Sequence, residues 1–189
     1  MTNNLNWGEA FYDHLLKYLG NPVKRAVFRQ SEAEPLIQVL EFDNVFPRCK
    51  VFCSFGASNY SDVLGVPAEV ILPCDNGWEV AGGLLANALF YMMQHRMALG
   101  AGVAVGLGPI ASEFARKFGK TAIYFTSPFG LPAEFSIVRN NDHAGRVYLA
   151  LFISQAEFDY FCDRGAGEFE SHLQKARVDP YEISRHSSI

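Results

Sequence analysis

Lys50-Val51-Phe52-Cys53-Ser54-Phe55 is a run of strand type that stops at Gly56. Side chains alternate along a strand, so Val51, Cys53 and Phe55 fall on one face and Phe52 and Ser54 on the other. Apolar groups on both faces mark an interior strand of a sheet that is covered on both sides. Gly56 then breaks the run into a small polar loop, Ala57-Ser58-Asn59-Tyr60-Ser61-Asp62. Such a loop is either the plain end of a strand or a place where a rigid scaffold sets recognition or catalytic groups.

The composition agrees with one ordered domain around this strand. The 189 residues are 49% hydrophobic, with sixteen Phe and eight Tyr, enough for a substantial and largely aromatic core. A net charge of −4 with dispersed Lys and Arg provides no basic footprint, so neither nucleic acid nor an anionic membrane is an expected partner. No basic N-terminal segment leads into an apolar core, and no uncharged apolar run reaches ~18 residues. A cytoplasmic protein without a membrane span is the expectation. Cys49, Cys53, Cys74 and Cys162 match no disulfide framework and read as reduced core thiols.

Along the chain, Asn6-Trp7-Gly8-Glu9 has the form of a capping box and predicts a helix with Phe11, Leu15, Leu16 and Leu19 on one stripe, stopped by Gly20-Asn21-Pro22. Val23 to Arg29 and Leu36 to Phe42 read as strands, followed by the central strand and by Glu69-Val70-Ile71-Leu72. Short connections among these four predict an antiparallel meander. Asn76-Gly77-Trp78-Glu79 repeats the capping-box form before a helix running to about Leu99, whose Leu84, Leu85, Ala88, Leu89 and Met92 share one face. Gly100 to Pro109 reads as a helix cap and a mobile connection, not a phosphate loop, because a helix and not a strand precedes its glycines. A short helix over Ile110 to Phe118, strands at Thr121 to Thr126, Phe135 to Val138 and Val147 to Ile153, and two closing helices complete the pattern. The first of these two begins at the capping box Ser154-Gln155-Ala156-Glu157. From about Arg177 the chain is a polar tail.

Catalytic signatures are absent. Gly56-Ala57-Ser58-Asn59-Tyr60 lacks the second glycine of a hydrolase elbow, and no helix is expected after it. His14, His95, His143, His172 and His186 are dispersed, with no metal-ligand spacing. Glu32 with Glu34, and Asp159 with Asp163, are close in sequence and read as solvated.

Ser54-Phe55-Gly56-Ala57-Ser58, followed by Glu69-Val70-Ile71-Leu72-Pro73, resembles the S-[FY]-G-[LM]-S-D segment and the E-[LV]-x-[LF] strand of the Suppressor of Fused family. Further pieces agree in order: Ala33-Glu34-Pro35-Leu36, Trp78, Gly108-Pro109-Ile110, Phe125-Thr126-Ser127-Pro128, Leu151-Phe152-Ile153 with Glu157-Phe158, Asp179-Pro180, and Arg185-His186-Ser187-Ser188. Asn59 stands where the family has an acidic residue, and Ser61-Asp62 follows two positions later. The chain has the length of the single domain, so the additional C-terminal region of the animal protein is not expected in it.

This resemblance implies an α+β fold: one SUFU-like domain over residues 1–189, with a mixed, largely antiparallel sheet of six to eight strands covered by helices. It implies a non-enzymatic protein-binding module without cofactor or metal. The animal protein clasps a short extended peptide of a transcription factor. Compact bacterial relatives are inferred to be immunity or antitoxin-like proteins that neutralise a toxin or effector from a neighbouring gene. Ser54, Gly56, Ser58, Tyr60 and Asp62 are then the expected partner-binding residues. The competing readings are an enzyme of hydrolase type, with Ser58 or Cys53 as nucleophile, and a homo-oligomeric structural module. The sequence leaves the oligomeric state open.

Overall fold

The sheet is built outward from the central strand. The computed structural model describes residues 6–29, 36–75 and 80–189. The strands β1 (Lys24–Arg29), β2 (Leu36–Phe46), β3 (Cys49–Phe55) and β4 (Ala68–Asp75) form the expected antiparallel meander. Four more follow: β5 (Val103–Gly106), β6 (Lys120–Thr126), β7 (Ile137–Asn140) and β8 (His143–Ser154). The order is β1-β2-β3-β4-β8-β6-β5, with β7 also paired to β8. One pairing is parallel, β4 to β8, running from Ala68↔Arg146 to Ile71↔Leu149. The result is the expected α+β domain with a mixed, mostly antiparallel sheet.

Each face of the sheet carries its own helices. On one, α3 (Ala81–Gln94) and α4 (Ser112–Phe118) bury Val39, Phe52, Val70, Leu72, Ile123 and Phe152. On the other, α1 (Trp7–Leu19) lays Trp7, Phe11, Leu15 and Leu19 over Leu40, Val51, Cys53 and Leu149. The pair α5 (Gln155–Arg164) and α6 (Ala166–Ala176) continues that layer, packing Phe169 over Ala122, Tyr124 and Ile153. Because β3 has apolar side chains on both sides, it belongs to both cores, as its alternation requires.

Small residues set the distance between layers. A Cβ on Gly82 of α3 would lie 3.1 Å from Val39 and 3.2 Å from Phe52, and one on Gly145 of β8 would lie 2.8 Å from Phe11 and 3.0 Å from Trp7. Gly145→Ala should therefore push α1 off the sheet and cost about 1–3 kcal/mol, read as a lower urea midpoint with unchanged slope. A loss within experimental error would mean that Phe11 and Trp7 repack freely.

Several local expectations change. Asn6 precedes α1, but its side chain makes no cap hydrogen bond; its carbonyl instead accepts from Asn140 Nδ2 at 3.2 Å. The expected capping box at 76–79 and the connection at 30–35 lie outside the described residues. The long helix stops at Gln94 rather than near Leu99, with Arg96 at φ 51° turning the chain away. The glycine-rich stretch is not a mobile connection: Val103 to Gly106 pair with β6 as a strand, which its brevity and its glycines conceal. The segment expected as a strand from Phe135 begins instead as a 3-10 turn, Ala133–Ser136, and β7 starts at Ile137. Cys49, Cys53 and Cys74 are buried thiols, whereas Cys162 is exposed on the outer side of α5.

Candidate functional site

Where β3 ends, Gly56 adopts φ 110° and ψ −7°, a conformation that favours glycine, and turns the chain into a 3-10 helix, Ala57–Tyr60. A single helical turn, α2 (Ser61–Leu64), follows and closes on Gly65, whose N–H donates to the Ser61 carbonyl at 2.8 Å. A helix thus does follow Ser58, contrary to the expectation. The loop folds around a carboxylate. Glu69, near the start of β4, is fully buried and accepts from Ser54 Oγ at 2.6 Å and from the backbone N–H groups of Gly56 at 2.8 Å, Ala57 at 3.3 Å and Ser58 at 3.1 Å. Ser54 Oγ in turn accepts from the Val70 N–H at 2.8 Å, tying the end of β3 to β4.

Among the described residues no cation pairs with Glu69. Its charge is met by converging N–H dipoles at the start of the 3-10 helix. Burial raises its pKa above 4.5, and the donors from Ser54, Ser58 and Gly56 offset part of that rise. The buried Ser58 hydroxyl lies beside the carboxylate and favours its charge without a hydrogen bond of standard geometry.

The five expected binding residues separate into two groups. Ser54 and Ser58 are buried and hold the loop from beneath, so they do not present side chains to a partner. Gly56 shapes the turn. Tyr60 is half-buried, its hydroxyl accepting from the Leu36 N–H at 3.1 Å, and Asp62 and its neighbour Asn59 are exposed. The outward surface of the loop therefore includes Asn59, Tyr60 and Asp62.

The candidate nucleophiles are poorly placed for chemistry. Burial, and then the negative charge of Glu69, push the Cys53 thiol well above its usual range, so it stays protonated. Among the described residues Ser58 has no free base beside it, because Glu69 is already engaged by the loop. Nor do the histidines converge: His14 bonds the Phe135 carbonyl at 2.9 Å, His172 bonds the Ser188 carbonyl at 2.6 Å, and His95 packs on Tyr91. Among the described residues no group of three His, Cys, Asp or Glu side chains is placed to hold a metal ion, and no helix is long and apolar enough to cross a membrane.

A second buried carboxylate secures the C-terminal segment. The Ser154 and Glu157 capping box forms as expected, with Ser154 Oγ accepting from the Glu157 N–H at 3.2 Å and Glu157 Oε2 accepting from the Ser154 N–H at 2.8 Å. Glu157 also receives Arg185 through Nη1 at 2.5 Å and Nη2 at 3.1 Å, and Ser188 through its N–H at 3.0 Å and Oγ at 2.9 Å. Burial alone would raise the pKa of Glu157, but Arg185 and the Ser154 and Ser188 N–H groups hold it down at about 2. Lys120 Nζ donates to the Arg185 carbonyl at 2.9 Å; burial first, then the Arg185 charge, lowers its pKa to about 8. The segment expected as a polar tail therefore carries an anchor, with Ile183 and Arg185 buried.

The sequence model of the Suppressor of fused protein (SUFU) matches residues 33–186. The chain belongs to the Suppressor of fused family. Among solved structures, a SUFU homologue from Neisseria gonorrhoeae is 19% identical with a TM-score of 0.77, covering 98% of each chain. A chain of the Sufu-Fu complex is 11% identical with a TM-score of 0.68, covering 96% of this chain and 91% of that one. Drosophila Suppressor of Fused is 12% identical with a TM-score of 0.66; 95% of this chain matches 50% of that protein. At these identities the likeness is one of fold. No curated protein matches the chain in sequence. The buried Ser54 and Glu69 lie in the two segments that carry the family resemblance, and Glu157 and Arg185 lie in two more.

Proposed function

We propose that the protein is a non-enzymatic binding module that recognises a partner polypeptide through the outer surface of the 56–62 loop, in an immunity or antitoxin-like role in the cytoplasm. The observation that carries this reading is the construction of the loop. Three backbone N–H groups and one hydroxyl converge on the buried Glu69, and what they hold rigid is a short surface bearing Asn59, Tyr60 and Asp62. Rigid aromatic and charged groups on a preorganised loop bind with little ordering cost. The family's Sufu-Fu complex supports the choice of a protein partner, and the burial of Cys53 and Ser58 weighs against the hydrolase alternative. A net charge of −4 would steer the protein toward a basic partner such as a nuclease toxin, chiefly by raising the association rate.

The test is capture with the tagged protein from its own cells at moderate salt, with mass spectrometry of what co-purifies. A stoichiometric polypeptide, above all the product of an adjacent gene, is the expected result. Tyr60→Ala and Asp62→Lys should each weaken that complex by about 1–2 kcal/mol, measured by calorimetry. If both stayed within a few tenths of a kcal/mol of the parent, the loop would not be the interface. Recovery of the protein alone would remove the immunity reading.

A further inference from the structure

The opposite margin of the sheet from β5 is β1, and among the described residues its outer side pairs with nothing. All of its residues run in register with β2, from Lys24↔Glu41 to Arg29↔Leu36. Its pairing with β2 is unbroken, without the proline or bulge that commonly blunts an exposed strand. On the α1-bearing face its side chains read Arg25, Val27 and Arg29, all exposed, with Val27 60% accessible. Val27 lies opposite Gln38, and Gln38 opposite Phe55, so this row leads directly to the base of the 56–62 loop. Tyr12 of α1 borders the corner, its ring 5.7 Å from that of Phe55.

Arg25 is held in place rather than merely solvated, and Arg29 is exposed beside it. Arg25 Nε donates to Gln38 Oε1, and its guanidinium lies 5.8 Å from the Phe55 ring centroid. Neither Arg25 nor Arg29 forms an ion pair among the described residues. Charged edges usually serve to keep other chains away, a task that Lys or Arg alone would meet. An exposed valine between two arginines defeats that purpose and gives an incoming strand an apolar contact.

We propose that β1 is a docking strand for an extended segment of the partner polypeptide that presents an acidic, an apolar and an acidic side chain at alternate positions on one face. Added beside β1, such a segment pairs its backbone with the open N–H and C=O groups of the edge. Its side chains recur about 7 Å apart, as those of Arg25, Val27 and Arg29 do, so each carboxylate meets a guanidinium and the apolar residue covers Val27. This inference rests on the protein-binding reading and names the chemistry of the bound segment, a local acidic stretch within a partner whose net charge is basic.

The probe is a capped, fluorescent peptide containing Glu-Thr-Val-Thr-Glu, compared with its Lys-Thr-Val-Thr-Lys counterpart by anisotropy against the full chain. The wild type should bind the Glu peptide at least about tenfold more tightly, with the preference weakening as salt rises. Arg25→Glu/Arg29→Glu should reverse the preference, and N-methylation of alternate peptide amides should abolish binding. Equal binding of both peptides, binding of neither, or a preference that survives the charge reversal would overturn the proposal. The comparison of peptides on the wild type stands even if the double variant folds poorly. A captured partner sensitive to Tyr60→Ala, together with an indifferent β1, would sink this inference alone. Selective peptide binding with no partner recovered would leave the edge and remove the function.

Discussion

Arg185→Ala should destabilise the protein by about 3–5 kcal/mol, the cost of leaving a buried carboxylate without its cation. The side chains of Arg185 and Glu157 are only 4% and 0% accessible, so water cannot replace the lost partner. Urea denaturation followed by circular dichroism would measure the loss. Arg185→Lys keeps the charge but not the two-pronged contact and should fall between the two. The same pair sets an acid limit. Glu157 holds its proton near pH 2 in the folded protein against an ordinary 4.5, so its stabilisation is complete above about pH 4.5 and disappears as the pH falls toward 2. In Arg185→Ala that acid dependence should flatten. A loss below about 1 kcal/mol would show that the C-terminal segment is not clasped in solution.

Glu69→Ala should cost about 3 kcal/mol or more, because it orphans the N–H groups of Gly56, Ala57 and Ser58 and leaves a void beside Ser54. Hydrogen exchange at those amides should accelerate more than exchange in the centre of β3, since the loop loses its anchor while the strand keeps its ladder. Glu69→Gln retains one acceptor oxygen and should lose only about 1–2 kcal/mol. Its pH behaviour runs opposite to that of Glu157. Burial makes the folded protein hold the Glu69 proton more tightly than the unfolded chain does, so this group's contribution improves as the pH drops toward 4.5. Glu69→Gln should remove that slope and leave the Glu157 limb intact below it. Unchanged exchange at Gly56 to Ser58 in Glu69→Ala would mean that the loop is held by something else.

The difference between these two carboxylates also explains what was legible beforehand. Glu157 is readable as a capping residue, because its cap partner Ser154 is three positions away and the interaction is local. Its second partner, Arg185, lies 28 residues further on, and nothing local links them. Glu69 stands out as a lone acid leading an apolar run, but its partners belong to the preceding strand and the loop between. The five expected binding residues lie together in the structure because they fall at alternate positions of one short segment, residues 54–62. Their division into outward Tyr60 and Asp62 and inward Ser54 and Ser58 depends on which way the 3-10 turn winds, and that follows from the Glu69 contact.

Periodicity determined the elements whose interactions are short in range. The two-sided apolar pattern of β3 placed it inside a covered sheet; the stripe of α1, the meander from β1 to β4 and the Ser154 cap are likewise written in near neighbours. Tertiary structure decided the rest. The parallel pairing of β4 with β8, the recruitment of Val103 to Gly106 as an edge strand, and the burial of Glu69 and Arg185 all join residues distant along the chain. Such contacts depend on where the whole sheet closes, and an ionisable side chain carries no sign in its own sequence of whether a donor will be waiting there.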